Sequence, residues 1–101
     1  MKACIRDGKT FEAETTKDGR ARDITFAADG SVLEVEQQVD RDQVPAPVLT
    51  RMDAVVHGGT LQRIETLSRG GSIVRYEVSY TRGGRNREAA FTPDGHAAKA
   101  D

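Results

Sequence analysis

Polar and apolar residues alternate along most of this chain, and where the alternation stops a helical stripe replaces it. Residues 9–16 put Phe11, Ala13 and Thr15 on one side and Glu12, Glu14 and Thr16 on the other, the two-residue period of a half-buried strand. Lys17-Asp18-Gly19 supplies a hairpin turn, and 20–27 return with Ile24 and Phe26 opposed to Asp23 and Thr25. After Ala28-Asp29-Gly30 a further strand alternates through Leu33 and Val35. Residues 72–82 are the clearest strand, with Val74, Tyr76, Val78 and Tyr80 inward and Arg75, Glu77, Ser79 and Thr81 outward. Gly83-Gly84 turns the chain, 85–92 return with Ala89 and Phe91 inward, Pro93-Asp94-Gly95 turns again, and a weak last strand runs toward Asp101.

The middle changes period. Val48, Leu49, Met52, Val55 and Val56 fall at i, i+1, i+4, i+7 and i+8, one apolar stripe with Thr50, Arg51 and Asp53 facing out. Pro45 and Pro47 suit the first turn of a helix and Gly58-Gly59 its end, so the spacing predicts a helix of about 46–57. The strand expected next, Leu61–Leu67, carries Leu61, Ile64 and Leu67 three residues apart. A strand absorbs that spacing only with a bulge or an edge position.

Residues 11–36 and 76–101 align as an internal repeat without a gap, at a constant offset of 65. Phe11 matches Tyr76, Gly19 Gly84, Arg20 Arg85, Phe26 Phe91, Asp29 Asp94 and Gly30 Gly95. Cys4–Gly8 resembles Leu67–Gly71 in the same scheme, with two residues gapped. The second unit reads as a helix plus four strands; the first lacks the helix and the opening strand. The expectation is an α+β fold: an antiparallel β-sheet meander of six or seven strands with one α-helix packed on one face. It is expected as one domain over 1–101, with meanders at 3–37 and 61–99. The expected core is Phe11, Ile24, Phe26, Leu33, Val48, Met52, Val55, Val56, Val74, Tyr76, Val78 and Phe91.

Composition narrows the picture. Of 101 residues, 31% are charged and 37% apolar, with five aromatics and no Trp, so the core must be thin. A net charge of −1 sets up no global field for nucleic acid or an acidic membrane, and no apolar run can span a bilayer. Cys4 is the only cysteine, which excludes an intramolecular disulfide, and Met1-Lys2-Ala3-Cys4 lacks the apolar stretch of a signal peptide.

No reaction chemistry emerges. His57, His96 and Cys4 are not at metal-ligand spacing, and no serine lies in a nucleophile elbow. Asp29-Gly30 and Asp94-Gly95 offer one carboxylate each and read as turns rather than calcium loops. Arg69-Gly70-Gly71 and Arg82-Gly83-Gly84-Arg85 lie between alternating segments and read as hairpins rather than RNA-binding RGG segments. The expectation is no catalytic residue, no cofactor and no metal. The open face of the sheet remains, carrying Glu12, Glu14, Asp23, Thr25, Arg75, Glu77, Ser79, Thr81, Glu88 and Ala90. The basic turn residues Arg82 and Arg85 lie at its end.

Tyr76-Glu77-Val78, Gly83-Gly84-Arg85 and Phe91-Thr92-Pro93-Asp94-Gly95, preceded by Val44-Pro45 ahead of an apolar helix and Ile64-Glu65 behind it, resemble the PepSY-like family of small bacterial domains. Phe26-Ala27-Ala28-Asp29-Gly30 and Leu33–Glu36 carry the same likeness in the first unit, so it covers about 9–97. The sheet-and-helix unit of that family is that of the β-lactamase-inhibitor proteins. The resemblance implies a non-enzymatic, extracytoplasmic module that binds or inhibits another protein, and it transfers no catalytic residue. The implied partner is an unidentified protein or peptide, with no nucleic acid and no membrane insertion, and the chain is expected as a monomer or homodimer. The surface expected to bind is Glu12, Glu14, Arg75, Glu77, Ser79, Thr81, Arg82, Arg85 and Glu88. The alternative is a structural, self-associating half of a tandem domain, motivated by the missing first helix.

Overall fold

Asp18-Gly19, Gly70-Gly71 and Gly83-Gly84 all adopt positive φ, the conformation that lets a two-residue turn follow the twist of its flanking strands. They join β2 (Thr10–Lys17) to β3 (Arg20–Ala27), β5 (Thr60–Arg69) to β6 (Ser72–Arg82), and β6 to β7 (Arg85–Phe91). With β1 (Lys2–Arg6), β4 (Val32–Val39) and the two-residue β8 (Ala97–Ala98), they form one antiparallel sheet in sequence order. The computed structural model describes residues 2–6 and 10–99, with side chains from Thr10 onward. The Cys4 thiol and the end of the last strand expected near Asp101 lie outside the described set. The mostly-β, single-helix α+β architecture is as expected, with seven longer strands and the stub β8.

α1 (Ala46–Val56) connects β4 to β5 and lies on β6 and β7. Pro45 and Pro47 open it, and Gly58, at φ 80°, ends it. A 3₁₀ turn, Arg41–Gln43, precedes it. There Asp40 and Gln43 cap each other, and the Arg41 guanidinium grips both carboxylate oxygens of Asp53 at 2.6 and 2.5 Å. The Asp40-x-x-Gln43 spacing is the sequence signal for that turn.

The buried cluster joins Val44, Val48 and Met52 to Ile64, Tyr76, Val78, Tyr80 and Phe91, with Val55 and Val56 packed at its margin. Three core expectations fail, for two reasons. Bulges carry two of them out. Thr25 pairs with Glu34 and Phe26 with Val32, so Leu33 is the extra residue and is 42% exposed. Leu67 pairs with Arg75 and Ser68 with Ile73, so Val74 is extra and is also exposed. Phe11 is correctly oriented but 40% exposed, because the α-helix among the described residues packs on β6 and β7 rather than on β2. The three-residue spacing in β5 has its bulge at Gln62, between Leu61 and Arg63. That bulge keeps Leu61 and Ile64 on the helix side; Leu67 then faces the other way. Among the described residues no helix is long and apolar enough to cross a membrane.

Candidate binding face

Cross-strand pairing places residues on a common face, so the register builds the surface opposite α1 row by row. One row runs Glu14 (β2), Asp23 (β3), Glu36 (β4), Leu67 (β5) and Arg75 (β6). The next runs Gln38, Glu65, Glu77, Ala90 and Ala98. Beyond them, Glu12 stands opposite Thr25 and Thr25 opposite Glu34, while Ser79 lies between Arg63 and Glu88. Of the residues expected to bind, Glu12, Glu14, Arg75, Glu77, Ser79, Thr81 and Glu88 all belong to this face.

Arg82 does not. It donates from Nη1 to the Val55 carbonyl at 2.6 Å, with its guanidinium 5.8 Å from the Tyr80 ring centre, on the helix side. Its cross-strand partner Arg85 shares that side, away from the acidic rows. The Arg69-Gly70-Gly71 and Arg82-to-Arg85 segments are hairpin ends, as expected.

The charges on the face are unevenly matched. Arg75 reaches Glu77 at 3.0 Å, Arg63 reaches Glu65 at 3.3 Å, and Arg69 reaches Glu34 at 2.8 Å. Glu36 lies among them with carboxylate oxygens of Glu36, Glu65 and Glu77 all within 4.8 Å of one another. Partial burial holds the Glu36 carboxyl above its usual value first, and the negative charges of Glu65, Glu77, Asp23 and Glu34 add to the effect. Sequence reading selected Glu77 but not Glu36 or Glu65. The signal was there in the alternation, since each follows an inward residue, Val35 and Ile64. What strand-by-strand reading lacks is the register that brings β4, β5 and β6 together.

The face is not uniformly polar. Leu67 is 1% exposed and Ala90 4%, although among the described residues the one α-helix lies on the other face. Chemically, the surface sets a cluster of carboxylates beside the guanidinium groups of Arg63, Arg69 and Arg75, over buried Leu67 and Ala90. The carboxylates accept hydrogen bonds from an ammonium or guanidinium, and oxygen-only donors also suit a hard cation. Among the described residues it presents no nucleophile paired with a base.

No protein-family model matches the chain, and neither does any curated protein. Solved structures do. A candidate periplasmic protein of Bacteroides eggerthii superposes with a TM-score of 0.83 at 17% identity, over 96% of this chain and 73% of its own. A DUF2874 family protein of Bacteroides uniformis gives 0.81 at 17% identity, over 96% and 74%. A BLIP-like protein of Bacteroides fragilis gives 0.75 at 20% identity, over 97% and 70%. At these identities the likeness is one of fold, and the fold is BLIP-like.

Proposed function

We propose that this protein is a non-enzymatic binding module that recognises a protein or peptide through the open face of its sheet, with a basic segment as the recognised chemistry. The observation that carries the reading is the in-register row Glu14–Asp23–Glu36. Like charges directly opposite on adjacent strands oppose folding, and Glu36 is further penalised by partial burial. A lysine or arginine from a partner relieves both terms at once. The names of the structural neighbours, one BLIP-like and one a candidate periplasmic protein, support a binding role outside the cytoplasm. Membership of the PepSY-like family, and inhibition of the bound protein, are the narrower forms of the same proposal.

A titration followed by backbone amide NMR tests it, with a short Lys/Arg-rich peptide as the probe. Shifts confined to β3–β6 and centred on Glu36 and Glu65, weakening steeply with salt, are expected. Shifts absent, or scattered over both faces, would count against the reading.

A further inference from the structure

The two hairpins β2–β3 and β6–β7 have the same register. Phe11 pairs with Phe26, Ala13 with Ile24 and Lys17 with Arg20; sixty-five residues later Tyr76 pairs with Phe91, Val78 with Ala89 and Arg82 with Arg85. Among the described residues only one of them has a helix on it. α1 lies on Tyr76, Val78 and Phe91, all nearly inaccessible, whereas Phe11 is 40% exposed and Ile24 and Phe26 half-buried.

Both ends of α1 are held by residues that have equivalents in the bare half. At its C-terminal end Arg82 donates to the Val55 carbonyl, and Lys17 occupies the matching place in β2. At its N-terminal end a Cβ added to Gly95 would meet the Pro47 carbonyl oxygen at 2.8 Å. Gly30 has the same turn hydrogen bonds and nearly the same φ, 90° against 92°, yet open space where Gly95 has Pro47. A third observation is independent of the equivalence. Arg22, on the same face beside Lys17, has its Nε buried and without a hydrogen-bond partner, in a cleft shared with Val35, Gln37, Thr66 and Ile73.

We infer that the apolar face of β2–β4 is a second docking site, opposite to the acidic face, and that its occupant is an amphipathic helix of a partner polypeptide. The helix lies parallel to β2, as α1 does to β6, with its first turn at Gly30 and its last at Lys17. Apolar residues at i, i+4 and i+7 sit on Phe11, Ile24 and Phe26, around Ala13, which its neighbours already bury. The last turn carries no cation and offers its carbonyls, or a carboxylate, to Lys17 and Arg22, the favourable sign for a helix C-terminus. A second copy is a poorer occupant, because the apolar stripe of its α1 is already buried in its own core. This is recognition of a helix in a groove, and it does not depend on the acidic face.

The test is a displayed library of amphipathic helical peptides about as long as α1, panned on the intact chain. The best-enriched peptide is then synthesised with a fluorophore and titrated by anisotropy. Enrichment of a three-to-four-residue apolar stripe is expected. Phe11→Asp and Lys17→Glu should each weaken that peptide by about tenfold or more, a typical anchor loss, while Glu77→Lys on the other face leaves it unchanged. Thermal melts show whether Phe11→Asp folds; if it does not, Lys17→Glu in the exposed hairpin carries the test alone. No enrichment over scrambled peptides, binding indifferent to both substitutions, or a dimer in sedimentation equilibrium that Phe11→Asp splits would overturn the inference.

Discussion

Asp23 and Glu36 are direct cross-strand partners on β3 and β4, two carboxylates held opposite each other on the face away from α1. Glu14 extends the row on β2. A sheet selected for stability alone would alternate signs here, so the arrangement makes this face the part of the molecule with most to gain from an external cation.

Replacing Glu36 by Gln should therefore stabilise the protein, by about 0.2–1 kcal/mol at neutral pH, the range of cross-strand pair effects. The pH dependence has a definite sign. Folding raises the Glu36 pKa above the ordinary 4.5, so the folded state holds this proton more tightly than the unfolded chain. The stabilising effect of protonation is fully present below about 4.5 and is lost as pH rises through the folded value. Denaturant melts of parent and variant should differ most at pH 7 and converge toward pH 4.5. A variant less stable than the parent at pH 7 would refute the penalty.

Phe91 and Phe26 are equivalent in register, but only Phe91, at 3% exposure, lies under α1. Phe91→Ala should cost about 3–5 kcal/mol, as truncation of a buried aromatic does. Phe26→Ala should cost distinctly less, since part of its surface is already in water. Equal losses in urea unfolding would mean that the first half of the sheet is covered as well as the second.

Gly95 and Gly30 give a second paired comparison. Alanine is strained at both, with φ of 92° and 90°, which costs about 1–3 kcal/mol for a non-glycine residue. At Gly95 the added methyl also meets the Pro47 backbone at 2.8 Å, so Gly95→Ala should be the more destabilising by about 1–3 kcal/mol of overpacking. Similar melting temperatures for the two variants would contradict the close approach of α1 to that turn.

Leu67 tests the floor of the acidic face. Truncation to Ala should cost about 2–5 kcal/mol, the range for a buried leucine, although pattern alone gives no reason to bury that position away from the helix. A loss near zero would mean that the side chains around it do not exclude water.

Much of this molecule is legible in its sequence because local chemistry dictates it. The Val48–Met52–Val55 stripe fixes α1, paired positive-φ residues fix the hairpins, and period-two alternation fixes the faces of β2 and β6. What escapes is set by register. Bulges at Leu33, Gln62 and Val74 invert or eject single residues without a composition signature. The meeting of Glu36 with Glu65 and Glu77 depends on the alignment of three strands, of which only the last was singled out. The exposure of Phe11 depends on which half of the sheet α1 covers, a tertiary choice that its own strand cannot encode.

The most direct test of the acidic face as a recognition surface is affinity capture from envelope and soluble extracts with three baits: the parent chain, Glu36→Lys and Phe11→Asp. Glu36→Lys is preferred to a double reversal at Arg75 and Glu77, which would rebuild the same ion pair with its ends exchanged. The account predicts a protein captured by the parent and by Phe11→Asp but lost with Glu36→Lys. A protein that Glu36→Lys retains, or no specific capture by any bait, would contradict it.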